Sequence, residues 1–396
     1  MRQKRLLIVG GGYADIPLIV AAKKLGYYVI TSGNLADDMG HQFSDKYCFA
    51  DFSNPDAILE VGASMRVDAI CPCANDFSAI SSAYAAEELG LAGHDSFETC
   101  KLIHHKDAYR QFALDNQIPT PKAMGFSDLD SAFEALKQLN YPLIIKPVDL
   151  TGGKGISRVV NSSEARAGLI KAFSLSKIKR VVVEEFIEGS RHGFSALLQD
   201  GRVVFHFMDN EYYYLNPYLV SGASTPADVS DVVTNELIQQ TERIASLLAL
   251  VNGIFHVQYV LADNQPIIIE ICRRPPGDLY ISLVEKATDL DYSMWIVKCF
   301  SGQDCTGIQQ KEVNGFILRH CVMADRNGLL RDIEFSPEIQ SCVIDKVMWW
   351  EPGYIIDNYL NQKFGIVFLK FNSMAELIDR AANMPLFIKP IIDNQL

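Results

Sequence analysis

Pro142-Leu-Ile-Ile-Lys-Pro147 is an apolar strand ending on a lysine, and Thr151-Gly-Gly-Lys-Gly155 begins five residues after that lysine. A lysine closing an apolar strand is not placed for solvation, and the proline beyond it stops the strand, so Lys146 is predicted to be a functional cation. The glycines that follow form a loop whose amides can close on phosphate oxygens. The loop lacks the Gly-x-x-x-x-Gly-Lys-Ser/Thr spacing of a Walker A segment. Taken alone it is equally a hairpin loop; the preceding lysine tips the reading toward a phosphate lid.

Outward from this stretch the chain alternates strand-like and helix-like runs. Before it lie the strand Leu6–Val9, a helix Ile16–Leu25, a strand Tyr28–Ile30, a helix Ala57–Met65 and a strand Val67–Ile70. This order predicts a parallel sheet with helices on its faces, a Rossmann-like first unit over residues 1–100. Around and after it come a helix near Lys101 through Leu114, a helix Asp130–Leu139, and strands Ser157–Val160 and Val181–Glu184. Then follow antiparallel strands Ser195–Gln199 and Arg202–Phe207, a helix Asn235–Leu250, and two strands joined by a turn at Ala262–Gln265. Residues 311–396 read as a small closing subdomain with an amphipathic helix Ser373–Ala382. The fold class is therefore mixed α/β and α+β, in several domains.

Composition limits the function classes. With 396 residues the chain exceeds one core of ordinary size. At 48% hydrophobic and 21% charged residues it should fold throughout. A net charge of −12 argues against a broad nucleic-acid footprint. No apolar run approaches the roughly 18 residues of a membrane span. Nine cysteines without a Cys-x-x-Cys pair predict buried free thiols and a reducing, cytoplasmic setting; Cys71 and Cys73, flanking Pro72, are expected to be structural rather than metal ligands.

Gly10-Gly11-Gly12 invite a dinucleotide reading, but Asp15 stands where the third glycine of that fingerprint belongs, and no acid ends the second strand. The glycines are expected to shape a tight turn instead. Phosphoryl transfer requires cations on the phosphates, backbone donors over the transferring group, carboxylates for Mg2+ and an apolar adenine slot. Lys106, in His105-Lys-Asp-Ala-Tyr-Arg110, taken alone is a solvated lysine. Val181-Val-Val-Glu-Glu-Phe-Ile187 ends a strand with two acids beside apolar side chains, and Glu270 ends the strand Pro266–Glu270.

In this order Lys106, Lys146, the Thr151–Gly155 loop, Glu184-Glu-Phe-Ile187 and Glu270-Ile-Cys-Arg-Arg274 resemble the motifs of the ATP-grasp superfamily. The resemblance is nearest the branch of biotin carboxylase, the purine-pathway carboxylate-amine ligases and L-amino-acid ligases. It spans about residues 5–310 and implies a pre-ATP-grasp unit, an ATP-grasp domain over 101–310 with a lid about 120–185, and the closing subdomain. By resemblance, Lys106 and Lys146 would bind ATP phosphates, and Gly152, Gly153 and Gly155 would form the lid. Glu184, with the backbone of Glu185 and Ile187, would bind adenine, and Glu188 or His192 would serve the ribose. Glu270 would hold Mg2+, with Mn2+ as the alternative ion. Arg274 would hold the substrate carboxylate or acyl phosphate, making Arg274, Lys146 and Glu270 the catalytic set.

Two positions depart from the pattern. Gln258 stands where a second acidic metal ligand is usual, supplying an amide oxygen without charge, and soft Cys272 replaces an asparagine. The implied activity is an ADP-forming carboxylate-amine ligase working through an acyl phosphate on small-molecule carboxylates and amines, with a homodimer as one assembly. A bicarbonate-using carboxylase and a nucleotide-binding protein without turnover are the alternatives. Asn75-Asp76, Arg319 and the run Tyr212-Tyr-Tyr214 remain open between substrate contacts and ordinary capping, surface or core roles.

Overall fold

The computed structural model describes residues 2–150 and 153–393. Its first unit is a four-stranded parallel sheet in the order Lys46–Phe49, Tyr28–Gly33, Arg5–Val9, Ala69–Pro72. Leu6 to Val9 are fully buried, as expected of a strand covered on both faces. The helix Asp76–Leu89, not foreseen, starts where the Asn75 side chain accepts from the Phe77 amide and ends at Gly90 with φ +64°. Its inner face is serine and alanine rather than large aliphatics, so it leaves little hydrophobic pattern.

The expected helix running from near Lys101 through Leu114 is two, Phe97–His104 and Lys106–Asp115, broken at extended His105. Lys106 thereby opens a helix rather than lying within one. A small antiparallel sheet follows, ordered Ala123–Phe126, Val181–Glu185, Leu143–Pro147, Ser157–Val159. The helices Leu129–Ala135 and Ser162–Leu175 cover one face of it, burying Leu143, Ile145, Val181 and Val183 against Ala165 and Leu169.

The main sheet has eight strands in the order Gln265–Cys272, Gly253–Ala262, Ser190–Gln199, Arg202–Tyr212, Gly222–Thr225, Phe316–Val322, Gly365–Phe371, Val343–Met348. The last three belong to the stretch expected to form a small closing subdomain. They continue the main sheet, because Phe316–Val322 pairs with Gly222–Thr225 on one side and Gly365–Phe371 on the other. A three-stranded sheet, Tyr354–Ile356, Gly328–Phe335, Ile388–Asp393, completes this end. The strands Ser190–Gln199 and Arg202–Tyr212 also run longer than expected, which carries Asp209 and Glu211 onto the sheet. Among the described residues no helix is long and apolar enough to cross a membrane.

Candidate active site

A cavity of about 320 Å³ lies between the small sheet and the main sheet. Lys106, Lys146, Gly153, Glu184, Glu185, Ile187, Gln258, Glu270 and Arg274, all named from sequence, line it. Gly155 does not line it, and neither do exposed Glu188 or buried His192, whose Nε2 is 2.7 Å from Ser190 Oγ; Arg191 lines it instead. Gly152 lies outside the described residues.

Lys146 ends its strand buried, at 5% exposure, and forms an ion pair with Glu184. The Glu184 carboxylate also accepts from Arg110 Nε at 2.7 Å. Burial works against the charge on Glu184, yet the two cations hold its pKa down to about 2. Its carboxylate is thus engaged with cations, while Glu185 and Ile187 lie along the cavity wall. Arg110, which sequence reasoning missed, donates to the Ile269 carbonyl at 2.6 Å and so ties this corner to the strand bearing Glu270. Its helical position next to ordinary polar residues gave no sign of this.

Lys106 Nζ is 3.1 Å from the Leu150 carbonyl and 3.5 Å from Glu270 Oε1. Burial would lower its pKa, but Glu270 and Asp76 more than offset this and raise it, so it stays charged. Gly153 has φ +74°, and a Cβ there would fall 2.5 Å from the Tyr218 carbonyl, so Gly153 is seated against the segment 217–220. That segment, also missed, forms the opposite rim.

Gln258 and Glu270 are direct neighbours across two antiparallel strands. Gln258 Nε2 donates to Glu211 Oε1 at 2.8 Å, which orients the amide. Among the described residues no three His, Cys, Asp or Glu side chains are grouped to hold a metal ion by themselves. One carboxylate and one amide oxygen still suit Mg2+, which is usually bound by one or two protein oxygens together with substrate phosphates and water. Q258E is expected to lower stability by about 1–3 kcal/mol in chemical denaturation, because the new carboxylate faces Glu211 where a donor stood. An unchanged midpoint would contradict that contact.

At the other end Arg274 Nε donates to Asp76 Oδ1 at 2.8 Å, while His104 Nδ1 lies 3.1 Å from the same oxygen. Burial opposes the charge on Asp76, but Arg274 and His104 hold its carboxyl well below the usual range. Asn75 is therefore a cap, and Asp76 belongs to the site. Arg319 is not a surface charge: it lines the cavity and donates to the Asp278 carbonyl at 2.9 Å. Asp278 also receives Lys363 Nζ at 2.6 Å and the Tyr13 hydroxyl at 2.8 Å. Of the three tyrosines only Tyr213 lines the cavity; Tyr212 and Tyr214 pack against the C-terminal core.

The N-terminal glycines make the expected tight turn. A Cβ on Gly40 would lie 2.6 Å from the Gly11 carbonyl, and one on Gly11 would strike His41. Asp15 closes the turn by accepting from the Gly12 and Ala74 amides at 2.9 and 3.2 Å, with burial pushing its pKa up to about 6. Cys71 and Cys73 are buried free thiols, as expected.

The model of the ATP-grasp domain matches residues 106–278. The chain is 22% identical over 371 residues to the carbamoyl phosphate synthase large chain of Clostridium acetobutylicum, covering 85% of this chain but 33% of that one. It thus spans a third of that relative's length. It is 25% identical over 292 residues to formate-dependent phosphoribosylglycinamide formyltransferase of Prochlorococcus marinus, covering 72% and 73% of the two chains. The crystal structure of an L-amino acid ligase from Bacillus licheniformis superimposes with a TM-score of 0.81 at 18% identity, over all of both chains. Residues 106–278, which form most of the wall of the two-sheet cleft, match the ATP-grasp domain.

Proposed function

We propose that this protein is an ADP-forming carboxylate-amine ligase. One observation carries the reading: a single cavity is lined by buried Lys146, part-buried Lys106 and the guanidinium of Arg274, together with Glu270 and Gln258. Cations and oxygen ligands suit a nucleoside triphosphate, and a fork of donors suits a carboxylate. A carboxylate oxygen attacks the γ-phosphorus of ATP, the bond to the β-phosphate oxygen breaks, and ADP leaves. The acyl phosphate then loses inorganic phosphate as an amine nitrogen attacks the acyl carbon and gives up a proton.

Lys146 and Lys106 carry compensating charge for the transferring phosphoryl group, and the Gly153 segment with its rim at 217–220 covers it from water. Glu270 and the oxygen of Gln258 would hold Mg2+, which when bound neutralises the phosphate oxygens. Arg274 orients the carboxylate or acyl phosphate. Its own orientation is fixed by Asp76.

The test is ADP release with Mg-ATP from pooled carboxylates and amines, with hydroxylamine added to trap an acyl phosphate. Hydroxamate formation that depends on a carboxylate is the expected result. ADP release driven by bicarbonate alone would replace this reading with a carboxylase. In the same assay R274A is expected to lose about 10²-fold or more in hydroxamate yield, since one preorganised donor group is worth that much; a wild-type yield would remove Arg274 from the mechanism.

A further inference from the structure

The inner floor of the cavity is a set of rows across the main sheet, fixed by strand register. One row runs Asp209, Gly193, Gln258, Glu270 on four adjacent strands. The next runs Glu211, Ala223, Arg319. Side chains two apart on a strand share a face, so Asp209 and Glu211 both point into the cavity they line. Ala223, on the cavity floor, is small, and the absence of a side chain at Gly193 leaves room for the Asp209 carboxylate. A Cβ on Gly193 would lie 2.5 Å from Asp209 Oδ1.

Most other charges of the cavity are paired; Arg191 and Lys154, which also line it, form no ion pair among the described residues. Lys146 meets Glu184, Lys106 meets Glu270, Arg274 meets Asp76, and Arg319 with Lys363 meets Asp278. Asp209 and Glu211 alone among these acids form no ion pair among the described residues. Asp209 is fully buried; Tyr280 donates to its Oδ1 at 2.5 Å, and its Oδ2 has no partner. Glu211 accepts from Tyr213 at 2.5 Å and from Gln258 at 2.8 Å, both neutral donors. The Tyr259 hydroxyl, in a residue 1% exposed and beside both acids, is likewise unpartnered.

We propose that Asp209 and Glu211 form a binding site for the protonated primary amine of a substrate, seated between the Gln258–Glu270 edge and Arg319. An ammonium supplies donors to Oδ2 and a positive charge in direct contact with the two carboxylates, which Arg319 and Arg191 influence only from a distance. In its absence, burial and the adjacent Glu211 charge push the Asp209 carboxyl up to about 7, a measure of how poorly the pair is compensated by the protein. The ammonium can belong to the acid that is activated or to the nucleophile; either way the site demands an amino compound.

This rests on the ligase reading, and the experiment separates the two. Thermal shift is recorded with Mg-ATP, then with three added probes: the pooled twenty L-amino acids, a pool of simple primary amines, and a matched pool of deaminated carboxylates. Wild type is compared with D209N and E211Q, which keep shape and remove charge. The expected result is stabilisation by one of the two ammonium pools and not by the deaminated pool, with half-saturation weakened roughly tenfold or more in both variants, the worth of a charged hydrogen bond. Response to the amino acids alone assigns the ammonium to the activated acid; response to the amines assigns it to the nucleophile. No response to either ammonium pool, an equal response to the deaminated pool, or an undiminished response in both variants overturns the proposal. So does stabilisation by Mg2+ alone that disappears in D209N, which would make the pair a metal site. Failure of Mg-ATP to stabilise any form counts against the ligase reading instead.

Discussion

K146M is expected to reduce ADP release by about 10²–10³-fold while leaving the fold intact, the usual cost of removing one preorganised charge-stabilising group from a water-excluded site. Lys146 is buried at the strand end, 5% exposed, and its position is fixed by Glu184. Burial lowers its pKa and Glu184 opposes this; a charge so far from solvent is poorly screened and acts strongly on phosphate oxygens. Methionine keeps the stem and its packing. Glu184 retains Arg110 at 2.7 Å, so the variant should melt near the wild type. The assay is steady-state ADP formation beside a thermal scan; wild-type turnover in K146M would withdraw the lysine from the chemistry.

The second large effect is on stability. E184Q removes the shared partner of Arg110 and Lys146, leaving two buried cations facing a neutral amide, and breaking a buried pair in this way costs about 3–5 kcal/mol. The loss should appear first in the small sheet, where Val181–Glu185 is the central strand between Ala123–Phe126 and Leu143–Pro147. The sign of the pH dependence follows from the depressed pKa. Glu184 contributes stability that is complete above its ordinary value of 4.5 and is lost as pH falls toward about 2. Wild type should therefore lose stability more steeply than E184Q across that interval. Denaturation curves at pH 6, 4 and 3 check this, and parallel acid limbs would refute it.

Lys146 and Glu270 were legible in the sequence because each is a charge at the end of an apolar strand, an anomaly that needs no partner to be noticed. Arg274 was named only through the resemblance of Glu270-Ile-Cys-Arg-Arg274 to a family motif. Asp209 and Glu211 were not, since an acid at every second position of a strand is the ordinary signature of a solvated face. Their meaning arises only from register with Gly193 and Ala223, residues distant in sequence from one another and from Arg319. Arg110 is hidden for a related reason: its partners Glu184 and Ile269 are 74 and 159 residues away. In the fold, the parallel first unit could be read from its alternating runs. The continuation of the main sheet by Phe316–Val322 could not, because an open strand edge carries no mark of which later segment will complete it.

Tyr13 stacks on Trp349 at 4.1 Å and, through Asp278, meets Lys363 and Arg319. The amino-terminal turn and the last strands of the main sheet are thus clasped together at Asp278, on the cavity wall. A nascent chain that has emerged only as far as residue 310 holds the lysines and the glycine loop, yet lacks Arg319, Trp349 and Lys363. The clasp at Asp278 therefore closes only once the strands Phe316–Val322 and Gly365–Phe371 have added themselves to the main sheet.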